Sequence, residues 1–236
     1  MNRFFRCFIT PLFLLLFISL DPIQGAAQTE IQLSQSEVEI LLNQIENTFL
    51  TTTSLGTTFE QEKKISFFED TIKSTGALLF QSPGKVRMDS FSPFKTSAIL
   101  NGDATAQYEF VNGLWNKVES TNNNMLQVVM KNIISWLQGK FNNISLYRVT
   151  ALRVNNQAIL TLTPQSPEYK KYIHHFELGI NKAVNGLDFI VIMLPDGDYT
   201  RYTFFNDRIN VKFSSELFNT QATAPSALPS WLGQTP

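Results

Sequence analysis

Two adjacent histidines are the side chains of this sequence best suited to catalysis or metal binding. His174 and His175 are its only histidines, and they fall in the segment 172–180, whose pattern predicts a β-strand. Neighbouring side chains of a strand point to opposite faces, so we expect that the two imidazoles share neither a metal ion nor a catalytic role. Asp196-Gly197-Asp198 lacks the glutamate and the spacing of a calcium loop and is typical of a hairpin turn.

The motifs of the common enzyme classes are absent from the sequence. It contains no G-x-S-x-G, no H-E-x-x-H, no phosphate-binding loop and no C-x-x-C. Its formal net charge of −1 gives no basic excess for binding nucleic acid. We therefore expect a protein that is not an enzyme, with no metal, no cofactor and no nucleic acid partner.

Residues 1–27 have the composition of a secretory signal peptide. Arg3 and Arg6 precede an apolar run from Cys7 to Leu20, and Gly25-Ala26-Ala27 supplies the small residues of a cleavage site. The apolar run is shorter than the roughly 20 residues that a membrane span needs. Because Cys7 is the only cysteine, its removal with the leader would exclude disulfides and thiol catalysis from the exported chain.

Two segments have the periodicity of amphipathic helices. Ser36 to Glu39 fits a capping box and opens the first, which ends before Thr51. The second runs from Met125 to Gln138, and its apolar arc is wider than one packing stripe, so it must be covered on two sides or face a cavity. The first helix presents Val38, Leu41, Leu42, Ile45 and Phe49; the second presents Leu126, Val129, Met130, Ile133 and Leu137, and Val128, Ile134 and Trp136 widen its arc.

Most of the remaining chain alternates as strands separated by short turns. Such turns permit antiparallel neighbours but not parallel crossovers. We predict an α+β fold, an incomplete antiparallel β-barrel of about eleven strands whose concave side is covered by the helices as a lid. The predicted strands are 57–67, 76–81, 85–91, 96–100, 104–111, 114–119, 141–149, 150–154, 158–163, 172–180, 187–194, 199–206 and 209–213.

The stretch from Ser74 to Asp103 carries a family resemblance. The positions that match a family pattern are Phe59, Gln61, Gly76, Leu78, Pro83, Arg87, Met88, Pro93, Asn101-Gly102, Val118, Leu162-Thr163-Pro164, Tyr202, Phe204 and Asn206. In these positions the sequence resembles the LolA family of periplasmic lipoprotein carriers over about Phe49 to Phe218, and we assign 28–220 to such a domain.

The resemblance implies a cavity between sheet and helices that takes the acyl chains of lipoproteins. It also implies a periplasmic monomer that accepts acylated lipoproteins from an inner-membrane ABC release complex and passes them to an outer-membrane receptor lipoprotein. On this hypothesis the lining residues are Leu78, Phe80, Val86, Met88, Tyr108, Phe110, Ile190 and Ile192 on the sheet side, and Met130, Ile133 and Leu137 on the lid side.

This sequence departs from the family pattern at two positions. The family usually has an arginine before the turn proline, thought to latch the lid, where this chain has Ser82; it has a tryptophan where this chain has Met88. Lys85 and Arg87 are candidates to replace the latch. Two alternatives stay open: a carrier of another lipid, such as a glycolipid or a terpenoid, and a periplasmic sensing module.

The segment 221–236 is rich in Pro, Ala, Ser and Thr, which predicts a mobile tail. Leu228, Trp231 and Leu232 are the residues available to dock it.

Overall fold

A computed structural model gives the structure of the protein and describes residues 30–118, 123–138, 140–141 and 146–232. For residues 123–129 the backbone alone is described. The predicted signal peptide, the strand prediction at 142–145 and the last four residues of the predicted tail lie outside the described residues.

The described chain forms one antiparallel sheet of twelve strands. The strands are β1 Glu30–Gln32, β2 Ser54–Lys64, β3 Ile72–Gln81, β4 Lys85–Ser92, β5 Thr96–Asn101, β6 Ala104–Val111, β7 Leu114–Lys117, β8 Tyr147–Val154, β9 Gln157–Pro164, β10 His175–Ile180, β11 Leu187–Met193 and β12 Tyr199–Ile209. Their spatial order is β1-β8-β9-β10-β11-β12-β2-β3-β4-β5-β6-β7. The sheet is not closed, because β1 and β7 form its two edges.

This architecture confirms the predicted α+β class and the incomplete barrel. The short β1 was not predicted, and the strands predicted at 141–149 and 150–154 are described as the single strand β8. The strand predicted at 199–206 extends to Ile209 as β12, with a register shift between Phe205 and Arg208 where it pairs with β2. The strand predicted at 209–213 is wrong, because residues 210–213 are not in a strand. The predicted Asn112-Gly113 turn is confirmed, and both residues adopt the positive φ that a two-residue hairpin loop requires.

Three α-helices accompany the sheet: α1 Gln35–Phe49, α2 Asn123–Leu137 and α3 Pro167–Lys170. The capping box of α1 uses Ser34, not Ser36, because Ser34 also precedes a glutamate by three positions. The Ser34 hydroxyl accepts from the Glu37 backbone N–H, and the Glu37 carboxylate accepts from the Ser34 backbone N–H at 2.8 Å. The helix therefore begins two residues earlier than predicted.

The sheet is apolar on both faces, and each face has its own cover. We call the face that packs against α1 and α2 the lid face; its buried cluster joins the helices to residues of β2, β3, β4, β5 and β8 to β11. We call the opposite face the outer face. A second buried cluster lies there, formed with the last segment of the chain.

That last segment, residues 213–232, forms what we call the C-terminal strap. Phe213, Leu217, Phe218 and Leu232 are buried against Ala77, Leu79, Ile99 and Ala106 of the sheet. Trp231 lies directly on the backbone of Gly56, a contact that a side chain at position 56 would block. The prediction of a mobile tail is thus wrong for residues 221–232, because the apolar residues spaced among the prolines dock it.

A buried ion pair fastens the strap to the sheet. The Arg87 guanidinium is bidentate to Asp89, at 2.8 and 2.7 Å, and the two side chains are 2% and 8% exposed. Arg87 also donates to the backbone carbonyl groups of Leu217 at 3.2 Å and Ser226 at 2.8 Å. Ser97 donates to the Asp89 carboxylate at 2.7 Å. The pair is therefore fully hydrogen-bonded, the condition under which a buried ion pair is tolerated.

We predict that Arg87→Ala lowers the free energy of unfolding by about 3–5 kcal/mol, because it leaves the Asp89 carboxylate buried without its cation. Lys131→Ala is the matched control. Its partner Asp103 is 96% exposed, so we expect a change within about 1 kcal/mol. Urea unfolding of both variants measures the difference, and equal losses would contradict the role given to Arg87.

Candidate functional site

The sheet side of the lid face is built by alternation along paired strands. On β3 and β4, Phe80 pairs with Val86 and Leu78 pairs with Met88, so these four side chains share one face. Leu78, Phe80 and Val86 are almost completely buried, whereas Met88 is partly buried. On β11, Ile190 is buried and Ile192 is partly buried. The structure thus brings these six predicted residues together on the face that the helices cover.

The lid side is the apolar arc of α2. Met130, Ile133 and Leu137 are buried and belong to the same cluster as the sheet residues, as predicted from their spacing. The wide arc of this helix also has a structural explanation, because Trp136 packs edge-on against Phe176 of β10 at a centroid distance of 4.8 Å. The helix is therefore held against two regions of the sheet.

A very small cavity of about 10 Å³ remains between α2 and the sheet. Nine of the described residues line it. Four were predicted to do so: Leu78, Ile133, Leu137 and Ile190. Five were not: Leu55, Thr57, Leu187, Phe204 and Asp207. Leu55 and Thr57 alternate with the buried Phe59 along β2, so the strand pattern held a signal for them. Asp207 carries no such signal, because it lies within the register shift of β12 between Phe205 and Arg208, where the alternation is interrupted.

Two predicted sheet-side residues lie elsewhere. Tyr108 is buried on the outer face, where its hydroxyl donates to the Ala222 carbonyl of the strap at 2.9 Å. Phe110 is 37% exposed and packs edge-on against Trp115. Alternation along β6 correctly groups the two residues, but it does not decide which face of the sheet they share. The pairing of Tyr108 with Ser97 decides it, since Ser97 faces Asp89 beneath the strap.

None of the three latch candidates has a described contact with a lid helix. Arg87 fastens the strap, as described above, and the Lys85 ammonium lies 5.9 Å from the Phe218 ring of the strap. Ser82 donates its backbone N–H to Thr53. The prediction that Lys85 or Arg87 replaces the family's lid latch is therefore wrong, because both side chains point to the outer face.

Two other polar side chains of the lid segment contact turns at one end of the sheet. The Gln138 amide donates to the Pro83 carbonyl at 2.9 Å, in the same turn where the family places its arginine. Lys131 pairs with Asp103 at 2.9 Å in the next turn at that end of the sheet. The sequence analysis missed both residues because they lie on the polar stripe of the predicted helix, and such a stripe predicts a face exposed to solvent.

Burial disfavours the charged forms of polar groups near the lid face. Burial raises the pKa of Tyr202 and of Tyr147 to about 12. Burial also raises the pKa of Asp207 above its usual value, and the neighbouring Asp188 carboxylate adds to the shift. The environment between lid and sheet is therefore one that disfavours charge.

The two histidines differ from expectation. His174 lies before β10 and outside the strand, so the two rings meet instead of pointing apart, with 2.7 Å between their Nδ1 atoms. Glu177 approaches the other nitrogen of His175 at 3.4 Å. Among the described residues no group of three or more His, Cys, Asp or Glu side chains is arranged to hold a metal ion. In the same part of the chain, no helix is long and apolar enough to cross a bilayer.

An open antiparallel barrel with a helical lid over an apolar face defines the class of fold. The model of the family described as "Outer membrane lipoprotein carrier protein LolA" matches residues 50–221. The chain belongs to the LolA family, as its motifs indicated. A search of curated proteins finds no match.

Solved structures with similar folds are distant in sequence. A DUF1329 family protein from Desulfovibrio piger is 10% identical, with a TM-score of 0.44, over 79% of this chain and 98% of its own. The LolA superfamily protein NE2245 from Nitrosomonas europaea is 7% identical, with a TM-score of 0.41, over 77% and 96%. Mycobacterium tuberculosis lipoprotein LppX is 11% identical, with a TM-score of 0.43, over 77% and 99%.

The raised pKa of Asp207 predicts a pH-dependent effect on stability. A carboxyl whose pKa is raised by folding destabilises the native state above that pKa and does so no longer below its unfolded value. We expect Asp207→Asn to raise the Tm at pH 7, with a gain that disappears as the pH falls towards about 4. Thermal unfolding across this range is the measurement. The exposed Asp70→Asn serves as control, and a gain for Asp207→Asn that does not vary with pH would contradict the assignment.

Proposed function

We propose that this protein is a periplasmic carrier that binds the acyl chains of lipoproteins between its lid and its sheet. The observation that carries the proposal is an apolar cavity closed by a helix that two polar side chains, Gln138 and Lys131, hold at one end of the sheet. Family membership supports it. The carrier would accept lipoproteins from an inner-membrane ABC release complex and deliver them, as a monomer, to an outer-membrane receptor lipoprotein.

The physical need for such a site follows from the cost of exposing acyl chains to water. Each methylene contributes about 0.8 kcal/mol when it leaves water, so a lipid with several long chains crosses an aqueous space only if another apolar surface receives it. The lid face offers that surface. Its buried cluster is aliphatic and aromatic, and burial disfavours the charged form of the nearby Asp207.

The described state is closed, so binding requires movement of the lid. The cavity of about 10 Å³ is far smaller than the roughly 300–1,000 Å³ of a pocket for one drug-sized ligand. Several acyl chains need more space than that. On this proposal α2 swings away from β3 and β4, which requires breaking the Gln138–Pro83 and Lys131–Asp103 contacts. Both lie at the surface, where such contacts contribute little, and this suits a lid that opens.

A reversible lock on the lid tests this proposal. Lys131→Cys and Asp103→Cys, in a Cys7→Ser background, place two thiols where side chains now lie 2.9 Å apart, and a short reducible bismaleimide can bridge them. We expect the bridged protein to take up no fluorescent acyl-chain probe, and reduction to restore uptake. The two single-cysteine variants, treated in the same way, are the controls. Uptake by the bridged protein at the rate of the unmodified protein would contradict a moving lid.

A polar residue in the lid tests where the acyl chains bind. Ile133→Gln places an amide in the apolar cluster, and we expect the affinity for the probe to fall by about tenfold or more, because apolar contact is lost and an amide is desolvated. Ile40→Gln, on the 67% exposed position of α1, should leave the affinity unchanged. Circular dichroism confirms that both variants fold. Equal affinities would place the chains elsewhere.

The cargo itself is identified by mass spectrometry of molecules that copurify with the protein from its native periplasm. We expect a triacylated lipoprotein. If free glycolipid or terpenoid copurifies instead, the proposed carrier function is retained and its cargo is a different lipid. A protein isolated without any lipid would contradict the proposal.

A further inference from the structure

The described large apolar side chains that are exposed to solvent concentrate at one end of the sheet. Six of them occupy three neighbouring turns, and we call them the apolar rim: Phe67, Phe68, Ile72, Phe94, Val111 and Leu114. Phe67 is 89% exposed, Phe94 75% and Leu114 69%. Single exposed apolar residues are common on protein surfaces, but a contiguous set marks an interaction site.

Strand register places these turns together. Lys63 pairs with Ile72 beside the β2–β3 loop, and Ser90 pairs with Thr96 beside the β4–β5 turn. Val111 pairs with Leu114 across the β6–β7 turn. Since β2 to β7 are consecutive neighbours in the sheet, the three turns follow one another along one end. The turns at the other end of the same strands, 82–84 and 102–103, contain serine, proline, glycine and aspartate.

The most exposed part of the rim is held in place by polar contacts. The Lys64 ammonium donates to the carbonyl groups of Phe68 at 3.0 Å and Glu69 at 2.7 Å. The Ser66 backbone N–H donates to the Asp198 carboxylate of the β11–β12 turn at 2.6 Å. The rings of Phe67 and Phe68 contact each other edge-on at 5.7 Å. The loop therefore presents both rings outward while its backbone is satisfied.

The chemistry of the rim suits the interface of a phospholipid bilayer. Two of the three turns have lysines beside them: Lys64 and Lys73 flank the β2–β3 loop, and Lys95 is next to Phe94. An apolar side chain that enters the acyl region, with an ammonium group at phosphate depth, is the arrangement that interfacial segments use. Glu69, Asp70 and Glu109 also lie at this end, so apolar insertion would supply most of the attraction.

The apolar surface of the lid face leads towards the same end. Met88 and Ile192 lie nearer to the rim than Val86 and Ile190 do on their strands, and they are partly buried where the latter two are buried. The cover of the lid face thus thins towards the rim. Side chains projecting from separate turns also suit a fluid surface better than a protein partner, which needs matched pockets.

We propose that the apolar rim docks the protein on a phospholipid bilayer by inserting Phe67, Phe68 and Phe94 among the lipids. This inference rests on the proposed carrier function, for which it supplies the contact with the membrane where cargo is loaded or released.

Vesicle flotation tests the proposal. The probe is a set of vesicles of phosphatidylethanolamine with a minority of phosphatidylglycerol, mixed with the full protein. We expect binding, and we expect the triple variant Phe67→Ser, Phe68→Ser, Phe94→Ser to bind more weakly by on the order of tenfold or more. The matched control is Leu50→Ser with Ile209→Ser. These residues are 60% and 50% exposed and lie near the opposite end of the sheet, so the control should bind like the unchanged protein.

The uptake of the fluorescent acyl-chain probe separates this proposal from the proposed carrier function. The triple variant should keep full uptake, since its substitutions lie outside the cavity. If the unchanged protein takes up no probe but binds vesicles through the rim, the proposed carrier function is contradicted and the membrane-docking proposal is retained. Three outcomes would overturn the membrane assignment. In the first the unchanged protein binds no vesicles, and in the second vesicle binding falls equally in the triple variant and the control. The third outcome is rim-dependent self-association without vesicle binding.

Discussion

The structure depends on one constraint: a sheet with apolar side chains on both faces must be covered on both. Leu78 and Phe80 point to the lid face while Ala77 and Leu79 point to the outer face, and all four are almost completely buried. A strand of this kind is apolar without interruption and is stable only between two layers. The helices supply one layer. The second is a segment with almost no regular secondary structure, which is unusual for so large a surface.

The two covers are fastened by different chemistry, and the difference separates a fixed layer from a movable one. Beneath the strap, Arg87 and Asp89 are shielded from water and satisfied by hydrogen bonds, so removing either partner strands a buried charge. Above the lid face, Lys131 is 52% exposed and its partner Asp103 is 96% exposed. Water replaces such contacts at little cost. The outer face therefore keeps the strands in place regardless of the position of α2.

Periodicity predicted which residues share a face, and this was enough for the fold class and most of the lid-face residues, whereas the family was indicated by turn and strand motifs. Periodicity failed where a second layer had no periodicity of its own. The apolar residues of 221–232 have no regular spacing that would indicate a layer packed on the sheet. The sequence therefore predicts Tyr108 on the lid face and offers Arg87 as a candidate lid latch, whereas both lie on the outer face beneath the strap. The strap makes its contacts through single apolar residues and backbone carbonyl groups, and neither leaves a repeat in the sequence. Gln138 was missed for a related reason, since a polar residue that reaches one carbonyl group is indistinguishable in sequence from a solvated one.

This chain has Ser82 where the family usually has an arginine before the turn proline. The difference between the fixed strap and the movable lid offers a reason for this departure. An arginine at position 82 would offer five donors to the lid, whereas Gln138 offers one hydrogen bond to the Pro83 carbonyl from the opposite direction. The site of attachment is thus kept while the group that provides it has moved from the sheet to the helix. A latch made of one neutral hydrogen bond has a net value of about 0.5–1.5 kcal/mol, less than a bidentate or charged contact. With the outer face independently secured, a weaker latch loosens the lid without loosening the sheet, and this would favour the lid opening that the proposed carrier function requires.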